Sequence, residues 1–321
     1  MTSVSVAMCT YNGAKFIQEQ LNSIARQTRK PDELIICDDA SDDETVALLY
    51  TFAELSDIKT HIYINKTNMG YTRNFEQALG LCSGDLVFIA DQDDIWYPEK
   101  VETVCGIFMS HPDILGVTHE GRLVDTSGRW YGTYKNKQIA SGYGNNHRAI
   151  TGALSCIKKS ALKYLIPFPS VTGHDTWLSY FFSCFPKLWF FSDICLEDIR
   201  RHDNNTSEWV VNSFRPVNRI DVFRLQLSTD IANDYSDRLT MNQSLMERLK
   251  KYFQELDTLS QKNVNECIIK LDAEYHAIVR RQAIASESNR LIRWYRICQL
   301  LTTGGYTYFN HWRSFFRDLI R

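Results

Sequence analysis

The first third of the chain alternates short apolar runs with longer segments in which apolar residues recur at helical spacing. Four of the runs have the length and composition of strands, namely Val4–Cys9, Glu33–Cys37, Thr60–Ile64 and Asp85–Ala90. The intervening segments predict helices over Gly13–Arg26, where Phe16, Ile17, Leu21 and Ile24 share one face, Asp43–Leu55 with Ser41 as its cap, and Tyr71–Cys82. This alternation predicts an α/β fold, with a mostly parallel sheet and helices on both of its faces.

Polar clusters follow all four predicted strands. They are Thr10–Gly13, Asp38 with Asp39, Asn65–Asn74, and Asp91–Asp94. Ligands of open parallel sheets bind beyond the carboxyl ends of the strands. We therefore expect these clusters to meet at one edge of the sheet and to form the functional site.

The rest of the chain changes in character twice. The segment Gly121–Asn146 is polar and rich in Gly, Tyr and Asn, which predicts a flexible excursion near the site before regular structure resumes at Ile150. The apolar run Leu188–Phe191 predicts another strand. Beyond Pro216 helical spacing dominates, for example at Leu245, Leu249, Phe253 and Leu256, so we predict an α/β domain over 1–215 and a helical extension over 216–321.

Composition narrows the classes of partner. Of the 321 residues 44% are hydrophobic, which suffices for a large core, and a formal net charge of -2 gives no reason to expect a nucleic-acid partner. The first residues lack the pattern of a signal peptide, and the apolar stretch Trp177–Phe191 is too short to span a bilayer. The expected location is therefore cytoplasmic, with any membrane contact peripheral.

The tetrad Asp91-Gln92-Asp93-Asp94 is the most informative cluster. Carboxylates this dense repel one another unless a cation compensates them, and Mg²⁺ and Mn²⁺ prefer oxygen ligands. A divalent ion that bridges a diphosphate is the favoured interpretation. The alternative is a solvated acidic turn in which Asp94 caps the next helix.

Six motifs in a fixed order resemble the inverting nucleotide-sugar transferases of glycosyltransferase family 2, which have the Rossmann-like GT-A fold. They span residues 4–210 and comprise Cys9–Gly13, Cys37–Asp43, Asn68–Asn74, Asp91–Trp96, Gly173–Trp177 and Arg201–Thr206. Within the family, the strings Asp-Gln-Asp-Asp-Ile-Trp and His-Asp-x-Trp look like the bacterial rhamnosyltransferase-like group of O-antigen and capsule synthesis.

The resemblance implies a donor site. Asp39 would accept a hydrogen bond from the imide N–H of uracil or thymine, whereas Asp38 would be structural. Three residues would line the nucleotide pocket, namely Thr10, Tyr11 and Asn12. Arg73 would lie near the base or the phosphates, or else be a surface charge. Asn68 would bind the nucleotide, or form a tight turn with Gly70.

The resemblance also implies a metal site and a base. Asp93 would be the direct ligand of Mg²⁺ or Mn²⁺, Asp91 would reach the metal or the ribose, and His202 would complete the metal or phosphate contact. Neighbouring Arg200 and Arg201 would face phosphate or solvent. Asp175 would be the general base that deprotonates the acceptor hydroxyl, giving inversion, with a helix N-cap as the alternative. Trp177 would stack on a sugar or lie in the core.

The end of the chain is basic and aromatic. From Asn289 to Arg321 there are six arginines and one acidic residue, Asp318, interleaved with tryptophan, tyrosine and phenylalanine. This pattern suits a helix on an anionic membrane surface. It equally suits helices whose aromatic residues pack on the catalytic domain or on a second subunit.

The predicted activity is transfer of L-rhamnose from dTDP-rhamnose to a lipid-linked oligosaccharide. A UDP-hexose or UDP-N-acetylhexosamine transferase would use the same machinery. A nucleotidyltransferase would be expected to carry a Gly-rich, basic phosphate loop near the N-terminus, which is not found. A non-catalytic glycan-binding subunit is the remaining alternative, and intact Asp39, Asp93 and Asp175 argue against it.

Overall fold

A computed structural model describes residues 2–143, 149–202, 235–252, 255, 258–309 and 312–320. Its strands are β1 (Val4–Thr10), β2 (Glu33–Asp38), β3 (Lys59–Ile64), β4 (Leu86–Ala90), β5 (Ile95–Trp96), β6 (Gly116–Val124), β7 (Trp130–Tyr134), β8 (Ser155–Lys158) and β9 (Trp189–Arg200). Its helices are α1 (Ile17–Ala25), α2 (Thr45–Leu55), α3 (Tyr71–Leu81), α4 (Lys100–Ser110), α5 (Lys135–Tyr143), α6 (Lys159–Leu165), α7 (His174–Ser183), α8 (Ser236–Tyr252), α9 (Thr258–Ala285), α10 (Arg290–Thr302) and α11 (Trp312–Ile320).

The described strands form one mixed sheet in the order β3-β2-β1-β4-β8-β6-β9-β5, with β7 added to β6. Its first half is parallel, because β1 pairs in parallel with β2 and β4, and β2 does so with β3. Strand β8 runs antiparallel to β4 and β6, whereas β6 and β9 are parallel. Thr10 lies opposite Asp38 at the carboxyl edge. The predicted α/β fold is confirmed, with a mostly parallel core and a helical C-terminal region.

The core follows the predicted pattern. Strands β1, β2 and β4 are buried along their whole lengths, as expected for strands covered on both faces. The predicted apolar face of the first helix is buried, with Ile17, Leu21 and Ile24 fully inaccessible to solvent. That helix begins at Ile17 rather than at Gly13, and α2 begins at Thr45. Ser41 does not cap α2, because its hydroxyl donates to Asp38 instead.

The predicted flexible excursion over Gly121–Asn146 is wrong for most of its length. It contains the end of β6, strand β7 and helix α5. The physical reason is pairing with β9, which buries Leu123 and Val124 despite the polar sequence that follows them. Gly121 permits this approach, because a Cβ there would lie 2.8 Å from the Ile199 side chain. The predicted strand at Leu188–Phe191 begins at Trp189 and continues to Arg200.

The chain divides into two compact units. One comprises Met1–Phe168 with Gly173–Thr229, and the other Pro169–Thr172 with Asp230–Arg321. The second contains α8 to α11, and the predicted helical spacing holds at Leu245 and Leu249, which are buried. The predicted boundary near Pro216, the motif residues 203–206, Phe253 and Leu256 lie outside the described residues. None of the described helices is long and apolar enough to cross a membrane.

Candidate active site

An acidic turn follows β4 directly. Asp91, Asp93 and Asp94 each offer a carboxylate oxygen, and these three oxygens lie within 4.8 Å of one another. Withdrawal from water raises the pKa of Asp91 to about 7, and the negative charges of Asp93 and Asp175 add to this effect. The pKa of Asp94 is likewise raised, first by burial and then by Asp93. The turn therefore concentrates negative charge that a divalent cation would compensate.

Asp94 is a buried member of this turn and caps no helix. Its Oδ1 accepts a hydrogen bond of 3.0 Å from the backbone N–H of Arg200, and the next helix begins only at Lys100. Its Oδ2 is buried and accepts no hydrogen bond within the described part of the chain. A buried carboxylate oxygen without a donor is costly unless a ligand supplies the missing charge. This orphaned oxygen, together with an all-oxygen triad, fits Mg²⁺ or Mn²⁺.

Arg200 fixes the acidic turn to the end of β9. Its Nε donates to the Asp93 carbonyl at 2.9 Å, its Nη2 pairs with Glu19 at 2.6 Å, and its guanidinium lies 4.7 Å from the ring centre of Phe16. The side chain is buried, so the expectation that Arg200 faces phosphate or solvent is wrong. Internal acceptors use its donors, which makes Arg200 a support of the turn.

His202 lies next to the predicted metal ligand. Its Nε2 is 2.7 Å from Asp93 Oδ2, and its ring stacks on Phe16 at 4.8 Å. Two residues that are 109 positions apart thus share one hydrogen bond. The arrangement brings together an imidazole and a carboxylate, which are both ligands of Mn-like ions.

Asp39 organises the loop before α3. Its two oxygens accept hydrogen bonds from the backbone N–H groups of Met69 and Gly70, each at 2.8 Å, and from the Asn65 side chain at 2.9 Å. Asn68 Oδ1 accepts from the Gly70 N–H, and Gly70 has φ 81°, so the tight turn is present. A contact of Asp39 or Asn68 with a nucleotide base stays a prediction.

The last residue of β1 and the residues that follow it are held by hydrogen bonds. Thr10 is buried and its hydroxyl donates to Asp38, which also accepts from Ser41, as expected for a structural carboxylate. Asn12 adopts φ 49° and its side-chain oxygen accepts from the Asp42 N–H. Tyr11, in contrast, is 48% exposed. Of these three predicted pocket residues, Tyr11 and Asn12 are exposed to solvent and Thr10 is buried.

Asp175 lies in the first turn of α7, whose N-cap is Gly173, so it is not the helix cap. Its Oδ1 accepts from the Gly152 N–H and pairs with His174 Nε2, each at 2.8 Å. Burial raises the pKa of Asp175, but the charge and hydrogen bond of His174 outweigh it, so the net shift is downward. The side chain is 43% exposed. Asp175 is thus an ionised carboxylate that is partly open to solvent, and a general base must be in this protonation state to accept a proton.

Asp175 and the acidic turn belong to one charged site. The negative charge of Asp175 contributes to the raised pKa of Asp91, and Asp91 in turn raises the pKa of His174. Two of the predicted elements, the metal-binding turn and the base, are therefore close enough to interact electrostatically.

Comparison with known proteins identifies the family. A model described as glycosyl transferase family 2 matches residues 5–165, which is 161 of the 321 residues. The chain belongs to glycosyl transferase family 2.

Two curated relatives of this family-2 enzyme carry names that specify a reaction. One is the UDP-Glc:alpha-D-GlcNAc-diphosphoundecaprenol beta-1,3-glucosyltransferase WfgD of Escherichia coli, which is 33% identical over 31% of this chain and 38% of its own length. The other is the glucosyl-dolichyl phosphate glucuronosyltransferase of Haloferax volcanii, which is 29% identical over 36% of each protein. The chain thus matches little more than a third of the length of these relatives.

The fold is shared with a solved structure. The crystal structure of S. aureus TarS 1-349 in complex with UDP superposes with a TM-score of 0.53 and 17% identity, covering 89% of this chain and 93% of that one. At this level of identity the similarity concerns the fold, which is of the predicted GT-A type.

Two of the predicted binding residues of the family-2 enzyme are otherwise engaged. Trp177 is 0% exposed and its Nε1 donates to the Leu165 carbonyl at 3.0 Å, so its expected stacking on a sugar is wrong and it is a core residue. Arg73 pairs with Glu76 at 2.8 Å and donates to the Phe168 carbonyl at 2.9 Å. Both bonds come from its Nη1, and a contact of the other guanidinium nitrogens with base or phosphate stays a prediction.

Sequence reasoning missed one basic residue of this site. Lys135 begins α5, within the segment that was expected to be an irregular excursion. Desolvation lowers its pKa to about 7, with Arg201 adding to the effect and Asp175, Asp94 and Asp91 opposing it. The amine therefore lies within the field of the site carboxylates. A lysine in a polar segment carries no signal of this, because only the β6–β7 hairpin brings it there.

Proposed function

We propose that this family-2 enzyme is an inverting, metal-dependent transferase that moves L-rhamnose from dTDP-rhamnose to a lipid-linked oligosaccharide of a bacterial surface polysaccharide. One observation supports the metal-dependent mechanism above the others: three carboxylates of the acidic turn each place an oxygen within 4.8 Å of the other two, and the charge of Asp175 reaches this turn. Asp91 and Asp93, with His202, would hold Mg²⁺ or Mn²⁺ against the leaving diphosphate. Asp39 would receive the base, with Thr10, Tyr11, Asn12 and Asn68 around it.

Inversion needs one carboxylate on the acceptor side. A single displacement requires a base that removes the proton of the attacking hydroxyl, and no protein nucleophile. Asp175 can fill this role, because its carboxylate is partly open to solvent and its lowered pKa keeps it ionised and able to accept a proton. His174 would keep it ionised through their shared hydrogen bond. The product would then have the opposite anomeric configuration to the donor.

The donor and acceptor assignments have separate support. L-rhamnose is supported by the resemblance of Asp91–Trp96 and His174–Trp177 to the rhamnosyltransferase-like group. A UDP-hexose or UDP-N-acetylhexosamine donor is the second candidate, and the UDP-Glc in the name of the Escherichia coli relative favours it. Lipid-linked acceptors appear in the names of both curated relatives, which supports the acceptor class and a site of action at the cytoplasmic membrane face.

A donor screen tests the proposal. Purified protein is incubated with UDP-, dTDP- and GDP-sugars in the presence of Mg²⁺ or Mn²⁺, and nucleotide release is measured. We expect release from a dTDP- or UDP-sugar that chelation abolishes. Asp93→Asn and Asp175→Asn should each lose turnover with an unchanged circular dichroism spectrum, whereas the exposed Asp113→Asn should keep it.

Two outcomes would refute the assignment. Near-normal turnover in Asp93→Asn or Asp175→Asn would show that the wrong carboxylate has been given the role. Glycan binding without nucleotide release from any donor would instead support a non-catalytic subunit.

A further inference from the structure

Helix α11 has its amphipathic pattern inverted. Trp312, Phe316 and Ile320 recur at a spacing of four, so they share one face, and their exposed fractions are 62%, 54% and 86%. The opposite face carries Ser314 and Asp318, which are 1% and 6% exposed. A surface helix in water normally buries its apolar face and exposes its polar one. Here the large apolar side chains point outward.

A buried ion pair fixes this orientation. Both oxygens of Asp318 accept from the Arg281 guanidinium, at 2.9 and 3.1 Å, and one also accepts from the Tyr306 hydroxyl at 2.9 Å. Arg281 is itself buried. Rotating α11 to hide its apolar face would strip a buried arginine of its bidentate partner, which is strongly unfavourable. The apolar residues are therefore held outward by the interior of the helical unit.

Helix α10 presents a second row of apolar side chains. It is tied to α11 by Arg293, whose Nη2 donates to the Asp318 carbonyl at 2.9 Å. Leu291, Trp294 and Tyr295 are 81%, 59% and 63% exposed, whereas Ile297 and Leu300 of the same helix are buried. We define the docking face as the apolar residues of the two helices that are more than half exposed, namely Leu291, Trp294, Tyr295, Trp312, Phe316 and Ile320.

The charge of these two helices has one sign. Asp318 is the sole acidic residue from Asn289 to Arg321, and its charge is buried and paired with Arg281. The same stretch contains six arginines, at positions 290, 293, 296, 313, 317 and 321. A stretch of sequence that combines arginines with exposed aromatic and aliphatic side chains suits the interface of an anionic bilayer, where rings enter the headgroup region and cations pair with phosphate.

We propose that the docking face of α10 and α11 binds the surface of an anionic lipid bilayer, with Trp312, Phe316 and Ile320 entering the headgroup boundary. The binding is peripheral, since no described helix could span the membrane. The biological role of the docking face rests on the proposed function, because a lipid-linked acceptor is presented at a bilayer. Vesicle binding itself depends only on the docking face and on the charge of its helices.

Vesicle sedimentation tests this proposal. The full chain is mixed with vesicles of phosphatidylglycerol and phosphatidylcholine, or of phosphatidylcholine alone, at low and high salt. We expect binding to the anionic vesicles that salt weakens, because the headgroup attraction is screened. The triple variant Trp312→Ser, Phe316→Ser, Ile320→Ser should bind at least tenfold more weakly. Its fold should persist, since all three side chains are largely exposed.

A matched control uses apolar side chains exposed elsewhere. Leu55 and Met109 are 83% and 73% exposed in the first unit, so Leu55→Ser with Met109→Ser removes similar surface and should leave vesicle binding unchanged. Nucleotide release from a water-soluble donor should be equal in all three proteins. Loss of that release in every protein would refute the proposed function without affecting the binding result.

Three outcomes would overturn the bilayer assignment. They are failure of the native chain to bind anionic vesicles, native binding by the triple variant, and equal loss in the control. Light scattering tests a fourth outcome. If the native chain binds no vesicles but forms an oligomer, and the triple substitution dissociates that oligomer, the docking face would be an interface with a second copy of the chain.

Discussion

Lys100 and Glu197 form an ion pair that is completely withdrawn from solvent behind the acidic turn. Both side chains are 0% exposed. The Lys100 ammonium also donates to the Ala153 carbonyl at 3.0 Å and lies 3.8 Å from the ring centre of Trp96. Glu197 is on β9 opposite Trp96, which follows the acidic turn. The pair therefore anchors this turn to the strand that leads to His202.

Lys100→Met should destabilise the protein by about 3–5 kcal/mol, the usual cost of leaving one member of a buried pair without its partner. Methionine preserves most of the side-chain volume, so the loss comes from charge rather than from a cavity. The double variant Lys100→Met, Glu197→Leu removes both charges and should recover most of this loss, because replacing both partners with apolar groups is often close to neutral.

The effect should depend on pH in a defined direction. Burial raises the pKa of Glu197 to about 7, while Lys100 opposes this, so Lys100→Met should raise it further. A carboxyl whose pKa is raised in the folded state loses stability as pH rises from its unfolded value through the folded one. In the native chain this loss of stability ends near pH 7. In the variant the loss continues to higher pH, so the difference in unfolding free energy between the two proteins should widen above pH 7 by up to ~1.4 kcal/mol per pH unit.

Urea unfolding, followed by tryptophan fluorescence and circular dichroism, measures these differences. The control is Lys30→Met, which breaks the exposed pair of Lys30 with Asp57 and should change stability little. Native stability in Lys100→Met would refute the reasoning. So would a double variant no more stable than the single one, because the loss would then not come from an unpaired buried charge.

Three further predictions concern the site. His174→Asn should move the acid limb of the pH profile of kcat/KM for nucleotide release to higher pH, since it removes the interaction that lowers the Asp175 pKa; an unmoved limb would exclude Asp175 as the titrating base. His202→Asn should weaken Mn²⁺ binding at least tenfold by calorimetry, and unchanged affinity would remove His202 from the metal site. Trp177→Ala should cost about 3–5 kcal/mol in urea unfolding with an unchanged KM for donor, whereas a raised KM at native stability would restore its sugar-binding role.

The sequence predicted best where periodicity and local order decide the outcome. Helix α3 was expected over Tyr71–Cys82 and spans Tyr71–Leu81, and its apolar spacing needs no distant partner. The positions of the strand ends could also be predicted, because parallel pairing places Thr10 and Asp38 at the same edge of the sheet once the strands are assigned. The location of the acidic turn at this edge was predicted in the same way.

The failures share a dependence on distant contacts. Arg200 is buried only because Glu19 and the Asp93 carbonyl supply acceptors from elsewhere in the chain. Trp177 follows the base in sequence, but the helical turn of α7 directs it to the Leu165 carbonyl. Lys135 carries no signal without knowledge of the β6–β7 pairing. In each case the residue type allowed two environments, and tertiary structure selected between them.

The charge around the acidic turn is only partly balanced by the protein. Arg200 spends its donors on Glu19 and backbone carbonyls, and Lys100 faces Glu197. The remaining negative charge is reflected in Asp91, whose pKa is raised to about 7, and in the Asp94 oxygen that accepts no hydrogen bond from the described residues. If protein cations fully compensated these carboxylates, the site would have little affinity for a metal ion. If no protein group supported the turn, repulsion between the carboxylates would distort it. Partial compensation keeps the turn rigid while leaving negative charge that a metal ion would neutralise, and the bound ion would in turn attract the anionic diphosphate.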